Sequence, residues 1–131
     1  TLGWINTNRS HQIKLRELES LKQASQKGNQ LHFCHASKGE AMAVHPDGTI
    51  YPCAQTVDDP CFACGTVEAP NKDNLYLLEK YRLRSEQCND CSVSGFCPGD
   101  CPCRLFYNDN QTRGLACVMY QTLWENLGVS G

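Results

Sequence analysis

The sequence predicts a small, cysteine-rich α+β domain in which a β-hairpin and irregular loops lie between flanking helices. Three observations lead to this prediction. The chain has 131 residues, which is enough for one modest core but not for two. Apolar residues recur at helical spacing near both ends and at every second position nearer the middle. Ten cysteines give a density at which short chains are commonly stabilised by disulfides or metals as well as by packing.

The charge and hydropathy patterns exclude two classes of partner. The formal net charge is −2, and basic residues are interspersed with acidic ones rather than gathered into a stripe, so we expect no nucleic-acid partner. No apolar run reaches the roughly eighteen residues of a membrane span, and the first thirty positions lack the apolar segment of a signal peptide. We therefore expect a soluble, cytoplasmic chain with no membrane partner.

An amphipathic helix is predicted over residues 11–27. Gly28 follows the periodic segment and is a typical helix stop. We interpret residues 1–30 either as a linker or docking helix from a preceding barrel or as an ordinary solvated helix with one apolar stripe. The cysteine-rich domain proper then spans residues 31–131. The apolar residues that recur at roughly helical spacing are Ile13, Leu15, Leu18 and Leu21.

A β-hairpin is predicted next, because apolar residues alternate on either side of a turn sequence. The turn is His-Pro-Asp-Gly at residues 45–48, in which Gly48 is free to adopt a positive φ. Cys34 precedes the hairpin and Cys53 closes it, so two thiols far apart in sequence are expected at one end of the sheet. The residues expected to share one face are Met42, Val44 and Ile50.

The rest of the chain is predicted to alternate irregular and helical segments. Residues 54–74 contain prolines, glycines and the pair Cys61 and Cys64, which is typical of a loop. A short helix is expected at about 75–85, and residues 86–113 are expected to be rich in loops.

A closing helix is predicted from about residue 115 to 127. Cys117 would then lie in its first turn, where backbone N–H groups favour a thiolate. The apolar residues that recur at steps of four are Leu115, Met119, Leu123 and Leu127.

The most informative stretch is a run of four cysteines, spaced by two, five and three residues and followed by a proline, with a fifth cysteine sixteen positions further on. Two cysteines separated by two residues place both sulfurs on one turn, at a distance that suits a metal. In bacterial ferredoxins the cysteine of a similar Cys-Pro ending binds a second cluster, because the short spacer cannot fold back. We infer that Cys101 belongs to a separate site shared with Cys34 and Cys53, while Cys117 completes the site formed by the other three cysteines of the run. The cysteines of the run are Cys88, Cys91, Cys97 and Cys101.

These spacings resemble the seven-cysteine pattern of the SPASM domain. Cys34 is followed after thirteen residues by Gly48 and after four more by Cys53, and the run above and Cys117 complete the pattern over about two thirds of the chain. The amino-acid sequence of the hairpin, residues 45–53, is also similar to that of the family. Residues 98–100 read Pro-Gly-Asp where family members often carry glycines, so the turn or the cluster potential is expected to differ.

The resemblance implies an α+β metal-cluster domain with cluster-binding loops, in which two 4Fe-4S clusters are the cofactors. It assigns Cys34, Cys53 and Cys101 to a first cluster. The fourth ligand there is open between Cys64, which we favour because Gly65 permits a tight turn, Cys61, and an iron left free for substrate. Cys103 is interpreted as a buried thiol or a ligand and is left out of the site. The second cluster takes Cys88, Cys91, Cys97 and Cys117.

The family also implies a larger enzyme around this domain. SPASM domains follow a radical-SAM barrel, which binds S-adenosylmethionine and a third cluster through three cysteines spaced by three and two residues. That triad is absent here, since Arg104 stands where the third cysteine would follow Cys97 and Cys101. We therefore assign no catalytic residue and expect a fragment of an oxidoreductase or maturase, with the barrel preceding Thr1 in the same full-length chain.

The family-level expectation for function is maturation of a peptide or protein substrate, as in the anaerobic sulfatase-maturating enzymes. The clusters would contribute electron transfer, substrate anchoring, or both. Folding is expected to depend on metal, because residues 54–113 carry little else to hold them together.

Two other classes of protein remain as alternatives. The first is a zinc-binding interaction module with structural four-cysteine sites, built from the pairs at 61–64 and 88–91 with help from histidines; an aerobically prepared fragment could also take up zinc in place of iron. The second is a secreted disulfide scaffold, which the even number of cysteines permits. The histidines available as zinc ligands are His32, His35 and His45.

Overall fold

A computed structural model describes residue 7 and residues 13–29, 31–81, 88–108 and 113–127. In these ranges the chain forms helices and one small antiparallel sheet, so the α+β prediction is confirmed at that level. None of the helices in the described ranges combines the length and apolar content that crossing a bilayer requires. The main elements are helices α1 (Arg16–Lys27), α2 (Pro102–Tyr107) and α3 (Arg113–Asn126) and strands β1 (Ala43–Val44) and β2 (Ile50–Tyr51).

Helix α1 begins later than predicted but ends at the expected residue. Residues 13–15 are not helical, and residues 8–12 lie outside the described ranges. Gly28 adopts the left-handed conformation with φ of 68°, and its N–H donates to the carbonyl of Ala24. Leu21 and Ala24 are fully buried, whereas the predicted stripe residue Leu15 is exposed. The apolar stripe of α1 is therefore real but narrower than the sequence indicated.

The predicted hairpin is present. Strands β1 and β2 pair antiparallel, with Ala43 opposite Tyr51 and Val44 opposite Ile50. Gly48 has φ of 90°, and the side chain of Asp47 accepts a hydrogen bond from the N–H of Thr49 at 2.8 Å. Backbone and side-chain hydrogen bonds to Thr49 lower the pKa of Asp47 to about 2. The turn is thus held by a carboxylate that stays ionised over the physiological range.

The predicted common face of the hairpin lines an apolar groove. Met42, Val44 and Ile50 all contribute to this groove, together with Val67 and Tyr76. Its volume is about 500 Å³. Ile50 is buried, while Met42 and Val44 remain exposed at the edge of the sheet.

The segment after the hairpin is more ordered than a loop. It forms short 3₁₀ turns at Ala54–Thr56 and Pro60–Phe62, and the chain then returns alongside β2. The N–H of Cys64 donates to the carbonyl of Ile50 at 2.7 Å, and the N–H of Ile50 donates to the carbonyl of Gly65 at 2.9 Å. The backbone after Phe62 therefore serves as a third, irregular partner of the sheet.

Gly65 is required by this return of the chain. Its φ is 76°, and a Cβ atom there would collide with the backbone carbonyl oxygen of Ala69. We expect Gly65→Ala to destabilise the protein by about 1–3 kcal/mol, because backbone strain and a clash with rigid backbone add together. Gly28→Ala is the matched control, since Gly28 also has a positive φ but has open space around it. Urea unfolding of both variants checks this, and equal losses of stability would contradict the role assigned to crowding at Gly65.

The predicted short helix at 75–85 is a 3₁₀ helix over Lys72–Tyr81, and residues 82–87 lie outside the described ranges. Leu78 on this helix is fully buried. It belongs to a first core, in which the rings of Phe62 and Phe106 meet edge to face at 4.8 Å. The buried members of this core are Ala36, Tyr51, Phe62, Leu78, Cys101 and Cys103.

Helix α2 lies inside the segment 86–113 that was predicted to be rich in loops. Pro102 occupies its first turn, where a missing N–H costs nothing and the fixed φ suits a helix. The Cys-Pro sequence was interpreted only as a ligand ending, so its role as a helix start was missed. Cys103 of this helix belongs to the first core, and Leu105 is also buried.

Helix α3 begins two residues earlier than predicted, so Cys117 lies in its second turn rather than its first. The predicted apolar stripe is also only partly correct. Leu115 is 82% exposed and Met119 is 39% exposed, whereas Tyr120 and Trp124 are buried. Large aromatic rings bury more apolar surface than the leucine or methionine side chains beside them, so they set which face of the helix turns inward. The second core consists of Leu21, Val93, Tyr120 and Trp124.

Candidate metal centre

Four of the predicted ligands form one group, which we call the α3 group: Cys88, Cys91, Cys97 and Cys117. Burial raises the pKa of Cys97 to about 11, a hydrogen bond from Gly99 opposes this rise, and negative charge on the other three thiols adds to it. Interactions between individual charges have this influence only over short distances. Cys88, Cys91 and Cys117 therefore lie near enough to Cys97 for charge on them to affect it, and the binding of a cluster by these four cysteines stays a prediction.

Local turns place three members of the α3 group around a buried valine. The N–H of Cys91 donates to the carbonyl of Cys88 at 3.3 Å, and the N–H of Cys97 donates to the carbonyl of Val93 at 3.0 Å. Val93 is 1% exposed, because its side chain enters the second core. Cys91 and Cys97 thus pack against the same core as Val93.

Helix α3 supplies the fourth thiol through aromatic packing. The ring of Phe96 stacks on the indole of Trp124, with centroids 4.9 Å apart and planes inclined by 16°. Phe96 directly precedes Cys97, and Trp124 lies two turns after Cys117 on the same helix. This contact joins the loop that carries three thiols to the helix that carries the fourth.

Two hydrogen bonds reach the sulfurs of the α3 group. The N–H of Gly99 donates to Cys97 Sγ at 3.3 Å, and Gln121 Nε2 donates to Cys91 Sγ at 3.4 Å. Such bonds orient thiolates and raise the reduction potential of a bound cluster by stabilising added negative charge. Gln121 was not predicted, although its position four residues after Cys117 on a helix places both on one face and was a usable signal.

The turn between the two groups of cysteines is fixed by a buried carboxylate. Asp100 is 5% exposed, and its side chain accepts hydrogen bonds from the N–H of Cys101 at 2.6 Å and from the guanidinium of Arg104. Asp100 lies outside the predicted site. Its structural role is to direct the chain from Cys97 to Cys101, so that the two thiols are presented to different cores.

A second group, which we call the hairpin group, consists of Cys34, Cys53, Cys101 and Cys103. Cys101 and Cys103 are buried in the first core, and Cys34 and Cys53 pack against that core. Cys101 and Cys103 flank Pro102 at the start of helix α2. Cys101 Sγ also lies 3.9 Å from Gln55 Oε1.

The pKa values of Cys101 and Cys103 are shifted in opposite directions. The hydrogen bond from Cys103 lowers the pKa of Cys101, and nearby backbone N–H groups and Arg104 act in the same direction. The same bond raises the pKa of Cys103, as do burial and the charge of Cys53. Cys101 is therefore the member of this pair that loses its proton first.

Cys64 and Cys61 lie elsewhere. Cys64 is 1% exposed, lines the apolar groove, and donates its thiol hydrogen to the carbonyl of Phe62 at 3.2 Å. Burial raises the pKa of Cys64. Cys61 is exposed, and its N–H donates to the side chain of Asp59. Among the described residues, the first core contains Cys101 and Cys103 but neither Cys64 nor Cys61, and the fourth ligand of the first cluster stays a prediction.

The histidines considered as zinc ligands have separate surroundings. His35 pairs with Glu40 at 3.3 Å, and His45 pairs with Asp47 at 3.0 Å. In His32, Nδ1 is buried and has no hydrogen-bond partner in the described part of the chain.

Both groups consist of cysteines, the residues whose thiolates bind iron in most iron–sulfur clusters. All ten cysteines lie within the described ranges, and they are thiols rather than disulfides. Within those ranges, no three or more histidine, cysteine or acidic side chains form a group that could hold a single metal ion. Four cysteines are the usual ligands of a 4Fe-4S cluster, where each sulfur binds a different iron and the sulfurs need not converge on one ion. Neither a protein family, nor a curated protein, nor a solved structure was found to match this chain.

Proposed function

We propose that this chain is an auxiliary iron–sulfur domain that binds two 4Fe-4S clusters and serves a radical-SAM enzyme in peptide or protein maturation. The observation that supports the proposal is the α3 group, in which Cys91 and Cys97 pack against the core that helix α3 shares and Gln121 of that helix donates to Cys91 Sγ. The hairpin group is a second collection of thiols in a separate core. Two such groups in one small domain favour two clusters over one.

A four-cysteine zinc module receives less support from the same residues. That alternative pairs Cys61 and Cys64 with Cys88 and Cys91. Cys61 is exposed and Cys64 bonds to Phe62, whereas Cys88 and Cys91 belong to the α3 group. A zinc ion also needs four ligands around one point, and the described side chains offer no such group.

The role we propose within the larger enzyme is electron transfer, with or without substrate anchoring. When bound, clusters of this kind carry electrons at potentials set by burial and by hydrogen bonds to sulfur. This chain supplies both influences, since Cys97 is largely removed from solvent and Gly99 and Gln121 donate to sulfurs. It lacks the cysteine triad that cleaves S-adenosylmethionine, so the radical would come from a barrel domain of the full-length chain.

Anaerobic reconstitution with iron and sulfide tests the proposal. We expect about eight irons and about eight sulfides per chain, with the broad visible absorption of 4Fe-4S clusters. Chelation of the iron is expected to unfold much of the cysteine-rich region, because binding to ligands assembled only in the folded state stabilises that state. The measurements are iron and sulfide analysis, the visible spectrum, and circular dichroism before and after chelation.

The same experiment separates the proposal from its rivals. One or two zinc ions and no sulfide, even after anaerobic reconstitution, would replace it with the zinc module. Oxidised cysteines and no bound metal would replace it with a disulfide scaffold.

A further inference from the structure

The apolar groove beside the hairpin combines uncovered apolar side chains, an unpaired strand edge and a positive charge. We propose that this groove binds an extended segment of the peptide substrate that carries a large apolar side chain and, close to it, an acidic one. The inference rests on the proposed function, which supplies a peptide or protein as substrate, and it assigns that substrate a docking surface on this domain.

The walls of the groove are large apolar side chains that remain open to solvent. Single apolar side chains scattered over a surface are ordinary, whereas several gathered at one concave site are typical of a surface that binds a partner. The groove volume of about 500 Å³ lies within the range of roughly 300–1,000 Å³ found for ligand clefts. The exposed apolar residues that line it are Met42, Val44, Val67 and Tyr76.

One wall of the groove is held in place by the contact between Tyr76 and Gly39. A Cβ atom at Gly39 would lie 2.6 Å from Cδ1 of the Tyr76 ring, so the ring rests directly on the glycine backbone. The side chain of Tyr76 is nevertheless exposed where it lines the groove. A wall that is positioned before binding lowers the entropic cost of binding a partner.

The outer edge of β1 is available to pair with another extended chain. Ile50 lies opposite Val44, but its N–H donates to Gly65 and its carbonyl accepts from the N–H of Cys64. Both backbone groups of Ile50 are therefore directed away from β1, and in such a non-hydrogen-bonded antiparallel pair the partner residue also directs its groups outward. The N–H and C=O of Val44 thus face the open edge, where no backbone group of the described ranges bonds to them. An edge of this kind can accept a further strand.

A strand added at this edge would present side chains to the groove. Residues directly opposite each other on neighbouring strands share one face of a sheet, and the side chain of Val44 lines the groove. An apolar residue placed beside Val44 would therefore be buried together with Val44 and Met42. A peptide is favoured over a lipid or a small organic anion, because only the peptide has backbone groups to pair with the edge.

Lys72 gives the groove its charge preference. Among the described residues that line the groove, Lys72 is the charged one, and it forms no ion pair with any described residue. A carboxylate of the occupant beside Lys72 gains a favourable interaction, whereas a basic side chain there is repelled. The complementary segment is thus an apolar residue with an acidic neighbour.

Binding of short blocked peptides to the anaerobically reconstituted protein tests the proposal. The probes are fluorescently labelled peptides of serine and threonine that carry one leucine and one glutamate at several separations, together with the same peptides carrying lysine in place of glutamate. We expect a leucine–glutamate peptide to bind, and its lysine counterpart to bind about fivefold more weakly or less. Methylation of the peptide backbone nitrogens is expected to weaken binding by about fivefold or more, because it removes donors that pair with the strand edge. Fluorescence anisotropy measures each affinity.

Two variants and a control locate the binding site. Lys72→Glu is expected to reverse the preference, so that the lysine peptide binds more tightly than the glutamate peptide. Val44→Ser is expected to weaken binding of the glutamate peptide by about fivefold, because apolar contact is lost. Val118→Ser on α3 is the matched control: Val118 is 61% exposed and Val44 is 52% exposed, but Val118 does not line the groove, so no change in affinity is expected.

The outcomes separate this inference from its rivals and from the proposed function. Absence of binding by protein that holds its iron and sulfide, or an affinity indifferent to the charge of Lys72, would overturn the inference and leave the proposed function standing. Equal binding of the backbone-methylated peptide, or its displacement by octanoate, would replace the peptide with a small apolar anion. Self-association that Val44→Ser abolishes would show that a second copy occupies the groove. A protein that binds the peptides but neither iron nor sulfide would refute the proposed function, and with it the role of the bound peptide as substrate.

Discussion

Replacement of Cys97 by serine is expected to halve the iron and sulfide content, from about eight to about four atoms of each per chain. Burial raises the pKa of Cys97, and charge on the other three cysteines of the α3 group adds to this rise. Serine keeps nearly the same size, so loss of iron would report on the sulfur rather than on packing. The four irons that remain would belong to the hairpin group, which lies in the other core.

Ser92→Ala is the matched control for this variant. Ser92 lies in the same run and is exposed, so its replacement is expected to leave iron content, sulfide content and the visible spectrum unchanged. If Cys97→Ser kept the full complement of iron, the α3 group would not be a cluster site. Loss of all iron from Cys97→Ser would mean that the two groups are not independent.

Trp124→Ala is expected to cost about 3–5 kcal/mol of stability, as is usual when a large buried aromatic side chain is removed. Trp124 is 9% exposed, packs in the second core with Tyr120 and Leu21, and stacks on Phe96. Since small domains have total stabilities of roughly 5–15 kcal/mol, a loss of this size leaves little margin. Thermal and urea unfolding of the cluster-loaded protein measure the effect.

The same substitution should also weaken the α3 group. The stacked ring of Phe96 positions Cys97 next to helix α3, so removal of the indole frees the loop from the helix that carries Cys117. We expect iron to be lost from Trp124→Ala at lower chelator concentration than from the wild type. This second readout separates a role in shaping the site from a role in general stability.

Leu115→Ala on the same helix provides the comparison. Leu115 is 82% exposed, so its truncation is expected to change stability by less than about 0.5 kcal/mol and to leave chelator resistance unchanged. Equal destabilisation of the two variants would show that the buried face of α3 has been assigned incorrectly.

Electron transfer and substrate anchoring make different demands on the first cluster. Anchoring needs an open iron, whereas transfer needs a buried cluster with complete ligation. The apolar groove beside the hairpin is a separate feature, because no cysteine of the α3 group or the hairpin group lines it.

The features that depend on local chemistry were predictable from the sequence alone. The hairpin was predictable because Gly48 and Asp47 specify their turn through φ and a short-range hydrogen bond. The end of α1 was predictable because Gly28 tolerates the left-handed conformation. The α3 group was predicted from three loop cysteines that are close in sequence and from the pattern of a known family that pointed to Cys117, and its role as a cluster site stays a prediction.

Only the tertiary structure shows which cysteines are buried in the first core and which face of α3 is buried. Cys64 and Cys103 are both deeply buried, and packing alone distinguishes Cys64, which lines the groove, from Cys103, which lies in the first core with Cys101. Helix α3 likewise offers two apolar faces, and the rings of Tyr120 and Trp124 prevail because they meet α1 and Phe96. Both choices depend on residues distant in the chain, whose contacts have no counterpart in local spacing.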